Sequence, residues 1–341
     1  MMAAGGTLRR IISAFLFLSI GAIRSVLLFL SLGFQIIMNG SDVLTPKERN
    51  EEPECLRDPA LGSHEFVTLE DVTLHYVSVG KRDKPLVLLL HGFPDCWFSW
   101  KHQILGLKND FWLVVPDLRG YGQSSKPSRV EDYRVAKLVE DIHGLIKSLG
   151  RDKITVIGHD WGAVVAWTFA SKHEEMVDKL VVINGPHPLA MQHQLQYSLD
   201  QIMKSWYFVA FQLPWLPEAF FRANDLQAFD RVHASYDEEE REALKYVFGK
   251  PGALTGPVNY YRASFQKRSS GSTKLRRLNV PALVVWGRRD FALTETLAAL
   301  SLDYAKGGRV AYVADAGHWV HRERPRVVNE QIKHFLLQEN N

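Results

Sequence analysis

Apolar and polar positions divide this chain into three kinds of segment. Residues 11–38 are almost entirely apolar, with a single charge at Arg24. From about residue 61, short apolar runs recur at 86–90, 111–115, 153–157, 180–183, 282–286 and 310–313. Uninterrupted runs of that length are expected of strands buried on both faces. Two alternating runs, 65–69 and 72–77, predict a hairpin at a sheet edge. Helical spacing lies between the strands, as in 136–149 and 163–171, so the pattern predicts an α/β fold with a mostly parallel sheet and helices on both faces. Residues 185–277 lack such a strand, are rich in aromatics, and are broken by Pro214 and Pro217. They read as a helical cap inserted between two sheet strands. The expected organisation is 1–38 membrane anchor, 39–60 linker, 61–184 first part of the core, 185–277 cap and 278–341 second part of the core.

Neither half of the N-terminal run is long enough to span a bilayer alone, so a span must include Arg24. A central arginine costs roughly 2.5–3.5 kcal/mol, and each Leu, Ile, Phe or Val returns roughly 0.3–0.6. Seventeen such residues make insertion favourable. The predicted state is a single-pass anchor in the endoplasmic reticulum membrane. A cleaved signal peptide fits Arg9-Arg10 but not the length of the run, and a surface helix or hairpin with Arg24 at the headgroups is the other arrangement. The linker shows neither helical nor strand period, so loss of residues 1–38 is expected to leave a soluble, active body.

The formal net charge is +3, and residues 1–38 hold three arginines and no acid, so the rest is balanced. A balanced body argues against nucleic acid as a partner. Two cysteines, Cys55 and Cys96, exclude a disulfide scaffold. Neither HExxH nor Cys-x-x-Cys occurs, so no metal and no cofactor are expected.

Chemistry in such folds lies at the carboxyl ends of parallel strands. Gly158-His159-Asp160-Trp161-Gly162 stands between a predicted strand and helix, a nucleophile elbow with Asp where Ser is usual. A carboxylate is already ionised at neutral pH and needs no base to attack. His91-Gly92-Phe93-Pro94 follows the 86–90 strand and offers the Phe93 N–H, with that of Trp161, as an oxyanion hole. Asp290 follows 282–286, and His318 follows 310–313. Singly, each is also what a turn, a cap or a buried hydrogen-bonding residue provides. Together they stand in the order nucleophile, acid, histidine.

The segments HGFPDCWFSW (91–100), DLRGYGQSSKP (117–127), GHDWG (158–162), WYFVAFQLPWLPE (206–218), LTGPVNYYR (254–262), WGRRD (286–290) and GHW (317–319) resemble the epoxide hydrolases of the α/β-hydrolase superfamily, across residues 61–341. An anchor ahead of this domain resembles the membrane-anchored animal epoxide hydrolase 3 and 4 group. The resemblance implies Asp160 as nucleophile, Asp290 as charge-relay acid, His318 as general base, and Tyr207 and Tyr261 as cap phenols that hold the epoxide oxygen. Tyr261 is chosen over Tyr260 because the tyrosine next to arginine does this work in the family. Trp97, Trp161 and Pro94 are expected to line an apolar site. The implied substrates are water and a small lipophilic epoxide, such as that of a fatty acid, with the lipid bilayer as the other partner. A haloalkane dehalogenase uses the same Asp, His and acid but does not need the two phenols. A catalytically idle, membrane-bound binding protein of the same fold is the remaining alternative.

Overall fold

The computed structural model describes residues 2–266, 275 and 277–338. The elements in order are helix α1 (Met2–Asn39), strands β1 (Ser63–Thr68), β2 (Thr73–Val79) and β3 (Leu86–Leu90), helix α2 (Lys101–Leu107), strand β4 (Trp112–Pro116), helix α3 (Val135–Ser148), strand β5 (Ile154–His159), helix α4 (Trp161–Lys172) and strand β6 (Val177–Ile183). Helices α5 (Pro188–Tyr197), α6 (Leu199–Lys204), α7 (Tyr207–Ala210), α8 (Leu216–Val232), α9 (Glu238–Gly249) and α10 (Thr255–Phe265) follow. The chain then returns through β7 (Ala282–Gly287), α11 (Thr296–Leu302), β8 (Arg309–Val313), α12 (Val320–Glu323) and α13 (Pro325–Leu337).

The eight strands form one sheet in the order β1-β2-β4-β3-β5-β6-β7-β8. β1 and β2 are the antiparallel edge hairpin, β2 runs antiparallel to β4, and all later pairings are parallel. The chain steps from β3 out to β4, then back across β3 to β5. Right-handed crossovers therefore put α2 on one face and α3 with α4 on the other. The contacts agree: α3 packs on α4, and α2 on α13. β3, β4 and β5 are buried at every residue, which is why their sequences are unbroken apolar runs. The fold is that of an α/β hydrolase.

Among the described residues no strand lies between β6 and β7. The final part of the expected cap, 267–274 and 276, lies outside the described residues. α8 is two helical pieces joined at Ala223–Leu226, where Asn224, Asp225 and Leu226 have φ of 52°, 56° and 60°. The Asp237–Glu240 cluster, which reads as a solvated helix start, is a capping box for α9. Its Glu240 is buried against Arg322 at 2.5 Å.

Residues 39–60 are not the free tether that their irregular pattern suggests. Arg49 forks onto Asp225 at 2.8 and 2.9 Å and reaches Glu242 at 3.0 Å. Leu56 and Leu61 are buried in the main core. α1 is likewise seated, along α5, α6, α7 and α8. From residue 8 onward, Ser13, Gly21, Ser25 and Leu32 are its buried positions. Ser13 Oγ donates to the Gln196 carbonyl at 2.7 Å, and Asn224 Nδ2 donates to Gln35 Oε1 at 2.6 Å. A Cβ on Gly21 would stand 2.4 Å from Val209 Cβ.

Candidate active site

Asp160 sits in the tight bend between β5 and α4 with φ 50° and ψ −116°. A β-carbon on Gly158 would lie 2.4 Å from the Gly162 carbonyl oxygen, and one on Gly162 would lie 2.0 Å from that of Leu90. The bend is thus closed by backbone contacts that only glycine allows on either side. The strained φ lifts the Asp160 side chain clear of the sheet.

The Asp160 carboxylate accepts from the Phe93 N–H at 2.9 Å through Oδ1 and faces His318 Nε2 at 3.6 Å through Oδ2. His318 Nδ1 lies 2.7 Å from Asp290 Oδ2. Asp290 is itself fixed: Oδ1 accepts from the Ala292 and Leu293 N–H groups at 2.7 and 2.9 Å, and Oδ2 from Asn184 Nδ2 at 2.7 Å. Asn184 follows β6 directly and ties itself to β7 by accepting from the Gly287 N–H at 2.9 Å. Lys204, at the end of α6, donates to the Asp290 carbonyl at 2.7 Å. Burial opposes a charge on His318, but the Asp290 and Asp160 carboxylates outweigh it and lift its pKa to about 10. The imidazole therefore holds a proton at neutral pH while both anions stand beside it.

Tyr261 on α10 and Tyr207 at the start of α7 meet edge to face, with ring centres 5.8 Å apart. The Tyr261 ring also meets Trp161 at 5.1 Å and Phe93 at 5.4 Å. Burial pushes both phenols far above their ordinary range, and the Asp160 charge pushes the same way. Both hydroxyls thus stay protonated and can act as donors. Tyr260 differs physically: its hydroxyl is spent on the Arg119 carbonyl at 2.8 Å, and its ring is buried against Tyr121 and Tyr133. Phe93, Phe211 and Phe221 complete the apolar wall beside Tyr261.

The structure brings together Asp160, His318, Asp290, Tyr207, Tyr261, Phe93 and Trp161. Trp161 is the first residue of α4, where backbone N–H groups have no acceptor within the helix. Pro94 borders the site, joined to Phe93 by a cis peptide, and its carbonyl oxygen lies 2.9 Å from His233 Nε2. Trp97 is not brought in. Its backbone N–H donates to Asp117 Oδ1 at 3.1 Å, and its ring meets His64 and Phe98. The expected wall residue is a core residue near the sheet edge. His91 is a satisfied structural histidine, its Nε2 accepting from the Leu118 N–H at 3.1 Å. Sequence reasoning missed Asn184 and Lys204. Asn184 carried a signal, as a polar residue at the carboxyl end of a buried parallel strand.

Residues 85–325 match the family described as the alpha/beta hydrolase fold. The chain is 39% identical over 305 residues to human (Homo sapiens) epoxide hydrolase 4, covering 85% of this chain and 83% of that one. It is 36% identical over 308 residues to mouse (Mus musculus) epoxide hydrolase 3, covering 85% and 83%. Among solved structures, the Bacillus megaterium epoxide hydrolase in complex with an inhibitor superimposes with a TM-score of 0.75 at 31% identity, over 80% of this chain and 100% of that one.

Proposed function

This chain belongs to the epoxide hydrolases of the α/β hydrolase fold, and on that footing we propose that it opens lipophilic epoxides to vicinal diols through an ester on Asp160. The observation that carries the reading is the convergence of one elbow carboxylate, one Asp-held histidine and two protonated phenols. Asp160 attacks a ring carbon while Tyr207 and Tyr261 donate to the ring oxygen. That oxygen gains charge as its bond breaks, so donors already aimed at it lower the barrier without reorganisation. The alkoxide takes a phenol proton, leaving an alkyl ester on Asp160. Esterification removes one of the two charges that held the His318 proton. The imidazolium then gives its proton to the phenolate left by ring opening, and the neutral imidazole is a base at the stage that needs one. It takes a proton from water, and the hydroxide attacks the ester carbonyl, whose oxyanion is met by the Phe93 and Trp161 N–H groups. The tetrahedral adduct collapses, its hydroxyl proton goes to the departing alkoxide, the Asp160 carboxylate is regenerated, His318 keeps the first water proton as in the resting site, and the diol leaves.

An apolar aromatic wall supports lipophilic substrates, of which fatty-acid epoxides are the class we propose. α1 is long and apolar enough to cross a membrane, which supports attachment to a bilayer, and we assign that bilayer to the endoplasmic reticulum. The test is turnover of an epoxide in oxygen-18 water. Label is expected in the Asp160 peptide, with the diol of a single turnover unlabelled. Label passing straight into that diol, with none in Asp160, would refute the ester.

The phenols have a separate signature. Tyr207→Phe and Tyr261→Phe are each expected to slow ring opening by about 10²–10³-fold, as loss of one oxyanion donor does. Breakdown of a preformed ester should be unchanged. Rapid-mixing measurement of the two steps checks this, and equal slowing of both would remove the phenols from the first step.

A further inference from the structure

α1 contacts the body along most of its length. The seat begins at Arg9, whose guanidinium lies 4.8 Å above the Tyr197 ring, and ends at Gln35, bonded to Asn224. Those residues are roughly 39 Å apart at 1.5 Å per residue, more than the ~30 Å hydrocarbon thickness of a bilayer. The seated face is set by small residues eight and four positions apart, Ser13, Gly21 and Ser25, with Leu32 seven further on continuing it. Small residues are what let two helices approach at backbone distance. Arg24, the one charge inside the apolar run, faces the body and lies 5.6 Å over the Trp206 ring.

The opposite face is apolar and exposed, including Phe15, Leu27 and Phe34. That surface continues onto the body at two places. Phe17 stacks on Phe265, which is 46% exposed, and Phe29 meets the edge of Trp215, which is 58% exposed. A transverse α1 that kept its seat would draw α5–α8 through the hydrocarbon. Those helices carry Asp200, Lys204, Glu218 and Arg222. Each charge costs roughly 2.5–3.5 kcal/mol at the bilayer centre, and the exposed turns between helices would lose their water.

We propose that α1 lies flat along the helical segment between β6 and β7, in the plane of one leaflet, and that its outer face with Trp215 and Phe265 forms a single lipid-contacting surface. The occupant is a bilayer surface, and helix and body share one side of it. This arrangement spares Arg24, which needs no place at mid-membrane. It also seats α7, and with it Tyr207, on a membrane-held helix, through Gly21 against Val209. That removes the ground for treating residues 1–38 as a dispensable tether. The surface also reaches towards the site: α6 touches α1, its Lys204 holds the Asp290 carbonyl, and the next residue, Phe291, is 60% exposed with its ring 5.9 Å from His318. Substrate dissolved in the leaflet would thus meet the protein on the side where His318 lies.

Two readings on the full chain test this, neither requiring turnover. Epitope tags at both termini, in sealed microsomes treated with protease, are expected to be cleaved together or protected together. Opposite fates would establish a span and overturn the proposal. Spin labels on single cysteines replacing Phe15, Leu27 and Phe34, with Cys55→Ser, are then read in phosphatidylcholine–phosphatidylserine vesicles. All three are expected at one shallow depth, about 5–10 Å below the headgroups. A label at Leu27 much deeper than the other two, or all three in water, would overturn it. An absence of epoxide turnover would instead strike at the catalytic reading and leave these results unaffected.

Discussion

Asp160→Ala is expected to abolish diol formation, a loss of about 10⁴-fold or more, since it removes the group proposed to bond the substrate carbon. The carboxylate is the only ionised nucleophile that the bend presents to Tyr207 and Tyr261, and the surrounding donors can stabilise charge but cannot form the bond. Undiminished diol formation would end the assignment. Asp160→Asn supplies the control that an unfolded protein could not. Its amide oxygen can still accept from Phe93, so the bend is retained, but the negative charge is gone. His318 is protonated up to about pH 10 because Asp290 and Asp160 together outweigh its burial. Removing one anion weakens the hold on the proton, so the His318 pKa must move down. A proton-NMR titration of His318 in the two proteins measures the shift. An unchanged value would mean that Asp160 does not govern the base, and the proposed switch between the two steps would fail with it.

How much of this was legible in the sequence depended on how local each cause is. The bend at Asp160 could be read because its requirements, a strand, two close-approach glycines and a helix, all lie within a few residues. Asp290 and His318 could be read for the same reason, each following a strand. The direction of a loop side chain could not. Trp97 is only four residues from Phe93, but the Asp117 carboxylate fixes its backbone N–H and its ring packs against His64 of the edge strand. Asp117 is 20 residues further on, in a loop after another strand. The fixing of 39–60 is equally distant in cause, since Arg49 finds Asp225 only because the break in α8 presents it. α1 shows the limit most clearly. An apolar residue reads alike whether lipid or protein will cover it, so the length of the run predicts a helix and an apolar environment and nothing about which face is already occupied. The signal for a seated face was in the small residues at 13, 21 and 25, whose spacing is meaningful only once a neighbouring helix is known.

His318→Gln carries the second large effect, and it separates the two chemical steps. Ring opening needs an anion and two donors, and Asp160, Tyr207 and Tyr261 are untouched by the change. Ester hydrolysis needs a base, and a glutamine amide has none. Turnover is therefore expected to fall by about 10²–10⁴-fold, the range for loss of a positioned general base. Because the first step continues, the protein should form one equivalent of adduct rapidly and then stall. Intact-mass spectrometry should show the protein heavier by one substrate molecule, and digestion should place the added mass on the peptide that holds Asp160. The apparent KM should fall with kcat, since the ester accumulates at lower substrate concentration. The tyrosine variants predict the reverse pattern, slow turnover with no adduct, because their lesion precedes the ester. A His318→Gln protein that turns over slowly and carries no added mass would place the histidine in ring opening. The charge logic by which esterification of Asp160 turns an imidazolium into a base would then be wrong.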